Sequence, residues 1–87
     1  MGADDGVEAL RARVDVVDAE IRRLVTTRAE LSARIQAARL AEGGGRVDAG
    51  RERAVVDGYA AAFGEDGARL AETLLELCRG RSEEAAT

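Results

Sequence analysis

The amino-acid sequence predicts an all-α protein: one long and two shorter helices per chain, intertwined with a second copy as a helical homodimer. Three observations carry this. Proline is absent, Phe and Tyr occur once each, and Ala, Leu, Arg and Glu dominate, a composition that favours helix and offers little to a sheet. Apolar residues recur at alternating steps of four and three across the first half of the chain, the seam of helices that pack along their length. Finally, 87 residues are too few to bury that seam within one compact chain.

The elements follow in order. Residues 1–6 read as a flexible leader. Between Val7 and Ala41 there is neither Gly nor Pro, and Leu10, Val14, Val17, Ile21, Leu24, Arg28, Leu31, Ile35 and Ala38 keep the heptad spacing. Asp18 with Arg22, and Glu30 with Arg34, stand four apart in the order that supports a helix surface. Such a helix is roughly 50 Å long, whereas a compact domain of this size has a radius of gyration of about 12 Å. The mismatch predicts a second chain. Glu42-Gly43-Gly44-Gly45-Arg46 ends the helix. Asp48 is the expected N-cap of a second helix to about Phe63, with Val55, Val56 and Tyr59 on its apolar side. A break over Gly64–Gly67 leads to a third helix from about Ala68 to Gly80, with Leu70, Leu74 and Leu77 at core spacing. The domain proper thus runs over residues 7–81, and 82–87 read as a flexible tail.

The composition excludes several classes of function. The net charge of −4 argues against a nucleic-acid partner, whose affinity rests on neutralising phosphates. Histidine is absent and Cys78 is the single cysteine, so the usual general base, the commonest metal ligand and the Ser-His and Cys-His nucleophiles are missing. No cofactor and no metal are expected. Neither a membrane-length apolar run nor a signal peptide is visible, so a soluble cytoplasmic protein is expected.

What remains is arginine. All 13 basic residues are Arg, and Arg28 interrupts the apolar seam, where an unpaired charge is costly. Taken alone, Arg28 reads as a seam residue that reaches water or sets register. Arg39 lies eleven residues later, on nearly the same face about 16 Å away. Arg11 lies about 25 Å from Arg28 in the other direction and can approach it only from the partner of an antiparallel dimer. Asp48, Arg51 and Glu52 open the second helix, where an acidic pair commonly does no more than cap and complement the dipole. Spacing alone therefore leaves two readings open, solvated surface charges or an anion-binding helical dimer.

Four stretches taken together resemble the AroQ, all-helical family of chorismate mutases: Leu10-Arg11 through Asp18, Arg28-Ala29-Glu30-Leu31, Ala38-Arg39, and Asp48-Ala49-Gly50-Arg51-Glu52-Arg53. The resemblance covers residues 7–81. It implies an isomerase of the shikimate pathway and aromatic amino acid biosynthesis that rearranges chorismate to prephenate. It further implies that Arg11 enters the site from the partner chain and that Arg28 clamps a carboxylate. Arg39, where the family usually has Lys, would face the ether oxygen and pyruvyl side chain. Arg51 would add to carboxylate binding, Glu52 would hold the ring hydroxyl, and Asp48 would lie near it. Arg28, Arg39 and Glu52 are thus the expected catalytic residues.

The chain departs from the family near its end. Many members carry a Gln or Glu there to reach the ether oxygen, whereas this chain reads Leu77-Cys78-Arg79-Gly80-Arg81-Ser82, with no Gln after Gln36. Arg39, the glycine loop and Arg79-Gly80-Arg81 resemble a short subgroup, some members of which are activated by docking to DAHP synthase. That enzyme is therefore an expected partner, although the acidic tail Ser82–Thr87 looks unlike the subgroup's. The roles of Arg79 and Arg81, pocket closure or helix capping, stay open. So do two alternatives: a 4-amino-4-deoxychorismate mutase or isochorismate-pyruvate lyase on the same scaffold, and a non-catalytic helical dimer or regulatory subunit.

Overall fold

The computed structural model describes residues 6–45 and 47–86, and for 82–86 the backbone alone. Among the described residues there are two helices, α1 (Val7–Ala41) and α2 (Ala49–Ala86). α1 begins and ends where its periodicity does. Its last turn closes in a Schellman arrangement: the Gly43 N–H donates to the Leu40 carbonyl at 3.1 Å and the Gly44 N–H to the Arg39 carbonyl at 2.7 Å. This geometry needs a left-handed residue, and Gly43 supplies it at φ 81°. α2 starts on Asp48, whose Oδ1 accepts the Arg51 N–H at 3.0 Å, satisfying a donor that the first turn leaves without a helical partner.

The second half breaks inside the expected Gly64–Gly67 segment: the 38 residues of α2 are two helical arms joined at a single non-helical residue, Gly64, at φ 68° and ψ −147°. That backbone conformation is open to glycine and strained for other residues, so one residue accomplishes what the sequence distributes over four. The turn is sharp. A Cβ on Gly67 would collide with the Tyr59 carbonyl, although eight residues of straight helix span about 12 Å. Arg79 likewise reaches Glu52, 27 residues earlier, which in a straight helix would lie about 40 Å away. α2 therefore folds back on itself as two arms, residues 49–63 and 65–86. Its helix continues to Ala86, beyond the expected end at Gly80. The expected leader, apart from Gly6, lies outside the described residues.

The core of the single chain is small. Ala29 of α1 and Ala71, Leu74 and Cys78 of α2 are its buried apolar residues among those described. Leu74 is buried as expected, whereas Leu70 and Leu77 are 47 and 41 % exposed in the single chain and Ala71 and Cys78 are buried with Leu74. Ala71 and Cys78 are small and allow close approach where leucines would hold the helices apart. Along α1, Leu10, Val14, Val17, Ile21 and Leu24 are between 43 and 56 % exposed. The chain measures 60 × 28 × 15 Å with a radius of gyration of 17.1 Å, well beyond the compact expectation of about 12 Å. The surface pairs expected at Asp18–Arg22 and Glu30–Arg34 are not formed. Glu20–Arg23 and Asp66–Arg69 pair at three-residue spacing and Arg53–Asp57 at four. Such exposed pairs are nearly isoenergetic, so local side-chain geometry selects among them.

Candidate functional site

One turn after another, α1 points Arg28, Leu31, Ser32, Ile35, Gln36 and Arg39 into a cavity of about 360 Å³. Steps of three, one, three, one and three residues keep a single helical face turned inward. The loop and first turn of α2 close one side with Val47, Asp48, Arg51, Glu52 and Val55. The returning arm closes another with Leu75, Cys78 and Arg79. The fold-back at Gly64 is what brings these three segments together.

Five of the six residues singled out from the sequence, Arg28, Arg39, Asp48, Arg51 and Glu52, line this cavity. Arg11 does not: it stands exposed on the far half of α1 and pairs with Glu8 at 3.4 Å. Asp48 serves two purposes, as it caps α2 with one carboxylate oxygen and borders the cavity. Glu52 is held by Arg79, whose Nη1 donates to Oε2 at 2.7 Å. Arg28 is half-buried and donates from Nη1 to Cys78 Sγ at 3.0 Å. Sulfur is a weak acceptor, so this contact orients the guanidinium without neutralising it. Arg39 has no carboxylate partner among the described residues and is half-buried.

Cys78 and Gln36 are among the lining residues that the sequence reading left out of the site, whereas for Arg79 it left pocket closure and helix capping both open. The choice for Arg79 depends on the fold-back that sets it beside Glu52. Cys78 occupies the position after Leu74 on the buried face, which spacing alone does not distinguish from an ordinary core residue. Gln36 stands three residues before Arg39 and eight after Arg28. Its Nε2 is buried and has no hydrogen-bond partner among the described residues.

The electrostatics are simple. Four guanidiniums and two carboxylates border the cavity, leaving an excess of two positive charges on a chain whose net charge is −4. Planar guanidinium forks match carboxylates in geometry as well as sign. No group of His, Cys, Asp and Glu among the described residues is arranged to hold a metal ion. No helix among them is long and apolar enough to cross a membrane. The arrangement suits a small dianion held by several arginines, with two acceptors for a polar substituent. A second, more open groove adjoins it, bordered by Arg28 and Arg51 and by Val55, Tyr59 and Phe63.

Comparison with known proteins agrees with this chemistry. Residues 10–80 match the family model described as chorismate mutase type II. A protein named intracellular chorismate mutase from Mycobacterium tuberculosis (strain ATCC 25618 / H37Rv) is 47 % identical over 75 residues, 86 % of this chain and 70 % of that one. Its namesake from Mycolicibacterium smegmatis is 41 % identical over 75 residues, covering 86 % of this chain and 72 % of the relative. With the match spanning nearly the whole helical unit, the chain belongs to the chorismate mutase type II family.

Proposed function

We propose that this isomerase converts chorismate to prephenate in a site completed by two chains, and that the net positive charge of the arginines around the α1–α2 cavity does the work. The excess of two positive charges in that cavity is the observation that carries the reading, because chorismate bears two carboxylates. The rearrangement is intramolecular: one C–O bond breaks, one C–C bond forms, and no proton, nucleophile or leaving group is exchanged with the protein. Its demands are conformational restraint and stabilisation of developing charge.

In this reading Arg28 exchanges its thiol contact for a substrate carboxylate, a far better acceptor, and Arg51 adds a second fork. Arg39 faces the ether oxygen, on which negative charge grows as the C–O bond lengthens. A cation there favours the transition state over the ground state and so raises kcat. Glu52 accepts from the ring hydroxyl, with Asp48 beside it. The Arg79–Glu52 pair favours a hydroxyl at that position over an amine, since an ammonium group would meet the Arg79 charge as well as the carboxylate. This supports chorismate over its amino-substituted analogue.

The partner chain supplies Arg11. Support comes from the exposed seam on α1, which leaves five large apolar side chains in water, and from the open groove beside Arg28 and Arg51, which offers room for a second helix. We further propose that the protein acts in the cytoplasm, in keeping with the word intracellular in its relatives' names, and that DAHP synthase raises its activity. The experiment is the loss of chorismate absorbance with product identification, run with the protein alone and with DAHP synthase from the same source. Prephenate from the protein alone identifies an independent mutase, and prephenate only in the mixture identifies one dependent on its partner. Absence of prephenate in both arms overturns the reading.

A further inference from the structure

Ion pairs along this chain are mostly local. Arg11–Glu8, Arg23–Glu20, Arg53–Asp57 and Arg69–Asp66 each join residues three or four apart on one helix, and their side chains are more than half exposed. Among the described residues only Arg79–Glu52 spans the fold-back, at 2.7 Å and with the carboxylate 30 % exposed. Arg79 does not cap α2, which continues to Ala86. Both partners border the cavity that also holds Arg28 and Arg51. A largely buried carboxylate without a partner is costly. Deprived of Arg79, Glu52 would therefore turn to the remaining guanidiniums of the cavity, and those are the forks that the two substrate carboxylates need. With Arg79 in place, Oε2 is engaged and Oε1 is left for the ring hydroxyl.

We propose that Arg79 is a positioning residue that engages Glu52 and so keeps Arg28 and Arg51 open for the carboxylates of the substrate. This rests on the chorismate mutase reading of the cavity. Arg79 acts through Glu52 and not on the reacting atoms: it settles a competition between one internal carboxylate and two incoming ones for the same guanidinium forks. An internal competitor weakens the hold on ground state and transition state alike, so losing Arg79 falls on KM far more than on kcat.

The test is a cycle of wild type, Arg79→Ala, Glu52→Gln and the double variant with chorismate as substrate, in the presence of DAHP synthase if wild type needs it. Thermal unfolding and sedimentation establish that each is folded and in the wild-type oligomeric state; Arg79→Gln, which keeps the aliphatic stem, replaces Arg79→Ala if the latter is not. With Glu52 present, loss of Arg79 is expected to raise KM about 10- to 30-fold with kcat within a factor of about three. In the Glu52→Gln background no carboxylate is released, so the same change should move KM by no more than about threefold, the screened effect of one partly exposed charge. Arg79→Lys, which can still pair with Glu52, should recover most of the KM. An equal rise in KM in both backgrounds overturns the proposal, because Arg79 would then act on the substrate or the packing directly. So does an unchanged KM in Arg79→Ala, a loss confined to kcat, or a failure of Arg79→Lys to rescue, each of which leaves the mutase reading intact. Absence of prephenate with wild type itself marks the failure of the mutase reading.

Discussion

The two halves of α1 carry one heptad pattern and meet different fates. From Leu10 to Leu24 the seam side chains are about half exposed among the described residues. From Arg28 to Arg39 the same face meets both arms of α2, with Ala29 buried and Arg28 and Arg39 half-buried at the cavity. A repeating apolar stripe thus specifies that a face will be covered but not by what. The C-terminal half finds its cover within the chain because the glycine loop returns α2 alongside it. The N-terminal half presents an exposed apolar stripe, the kind of surface that marks an interaction site.

This contrast can be broken or sharpened at four points. The largest effect is expected from Ile21→Asp. In an isolated chain Ile21 is 51 % exposed and the change would be mild, whereas in a dimer it buries an unpaired charge. Sedimentation should show monomers, circular dichroism a loss of helix and the assay no turnover. Val16→Asp, on the outer face at 71 % exposure, should leave all three unchanged. A dimeric, active Ile21→Asp would show that the N-terminal seam is not an interface.

Next in size is Arg39→Ala, in the covered half. It removes a cation without altering the seam, and kcat/KM should fall by about 10³ with the circular dichroism spectrum and oligomeric state retained. Near-normal kcat/KM would remove Arg39 from its assigned role. Gly67→Ala probes the fold-back that creates the covered half. Its Cβ would meet the Tyr59 carbonyl, a backbone atom that cannot swing aside. The expected cost is about 3 kcal/mol, read as a fall in Tm of more than about 10 °C. An unchanged Tm would mean that the two arms of α2 do not approach so closely.

The smallest expected signal joins the halves. Arg11→Ala and Arg28→Ala chains, each inactive alone, should regain about a quarter of wild-type activity when mixed and refolded. Half of the dimers are then mixed, and each of those has one site free of both substitutions. No recovery despite demonstrated heterodimers would exclude a site shared between chains.

Much of this was legible in the residues themselves. The bounds of α1, its glycine stop and the Asp48 cap all depend on interactions spanning five residues or fewer, and local rules decide them. The spacing of Arg28 and Arg39 on one face is equally local, since helical geometry is regular. The family pattern joined Arg51 and Glu52 to them across the loop, and the cavity does collect all four. In the last arm the burial within one chain was legible only in part: Leu70, Leu74 and Leu77 read as its core, and Leu74 is buried together with Ala71 and Cys78. Small residues look weak in a hydrophobic pattern and are strong where helices must approach closely.

By itself, then, the amino-acid sequence determined the helical class, the first helix to the residue, the cap of the second and the family. The tertiary structure alone decided how sharply the break at Gly64 would fold α2 back, that Arg79 would hold Glu52 and Cys78 would meet Arg28, and that Gln36 would carry a buried donor with no partner among the described residues. The division has a physical cause. Periodicity, capping and turn conformation are set by neighbours along the chain, whereas pairings across 27 or 50 residues depend on the angle at which helices meet, and that angle is set by packing that no local pattern records.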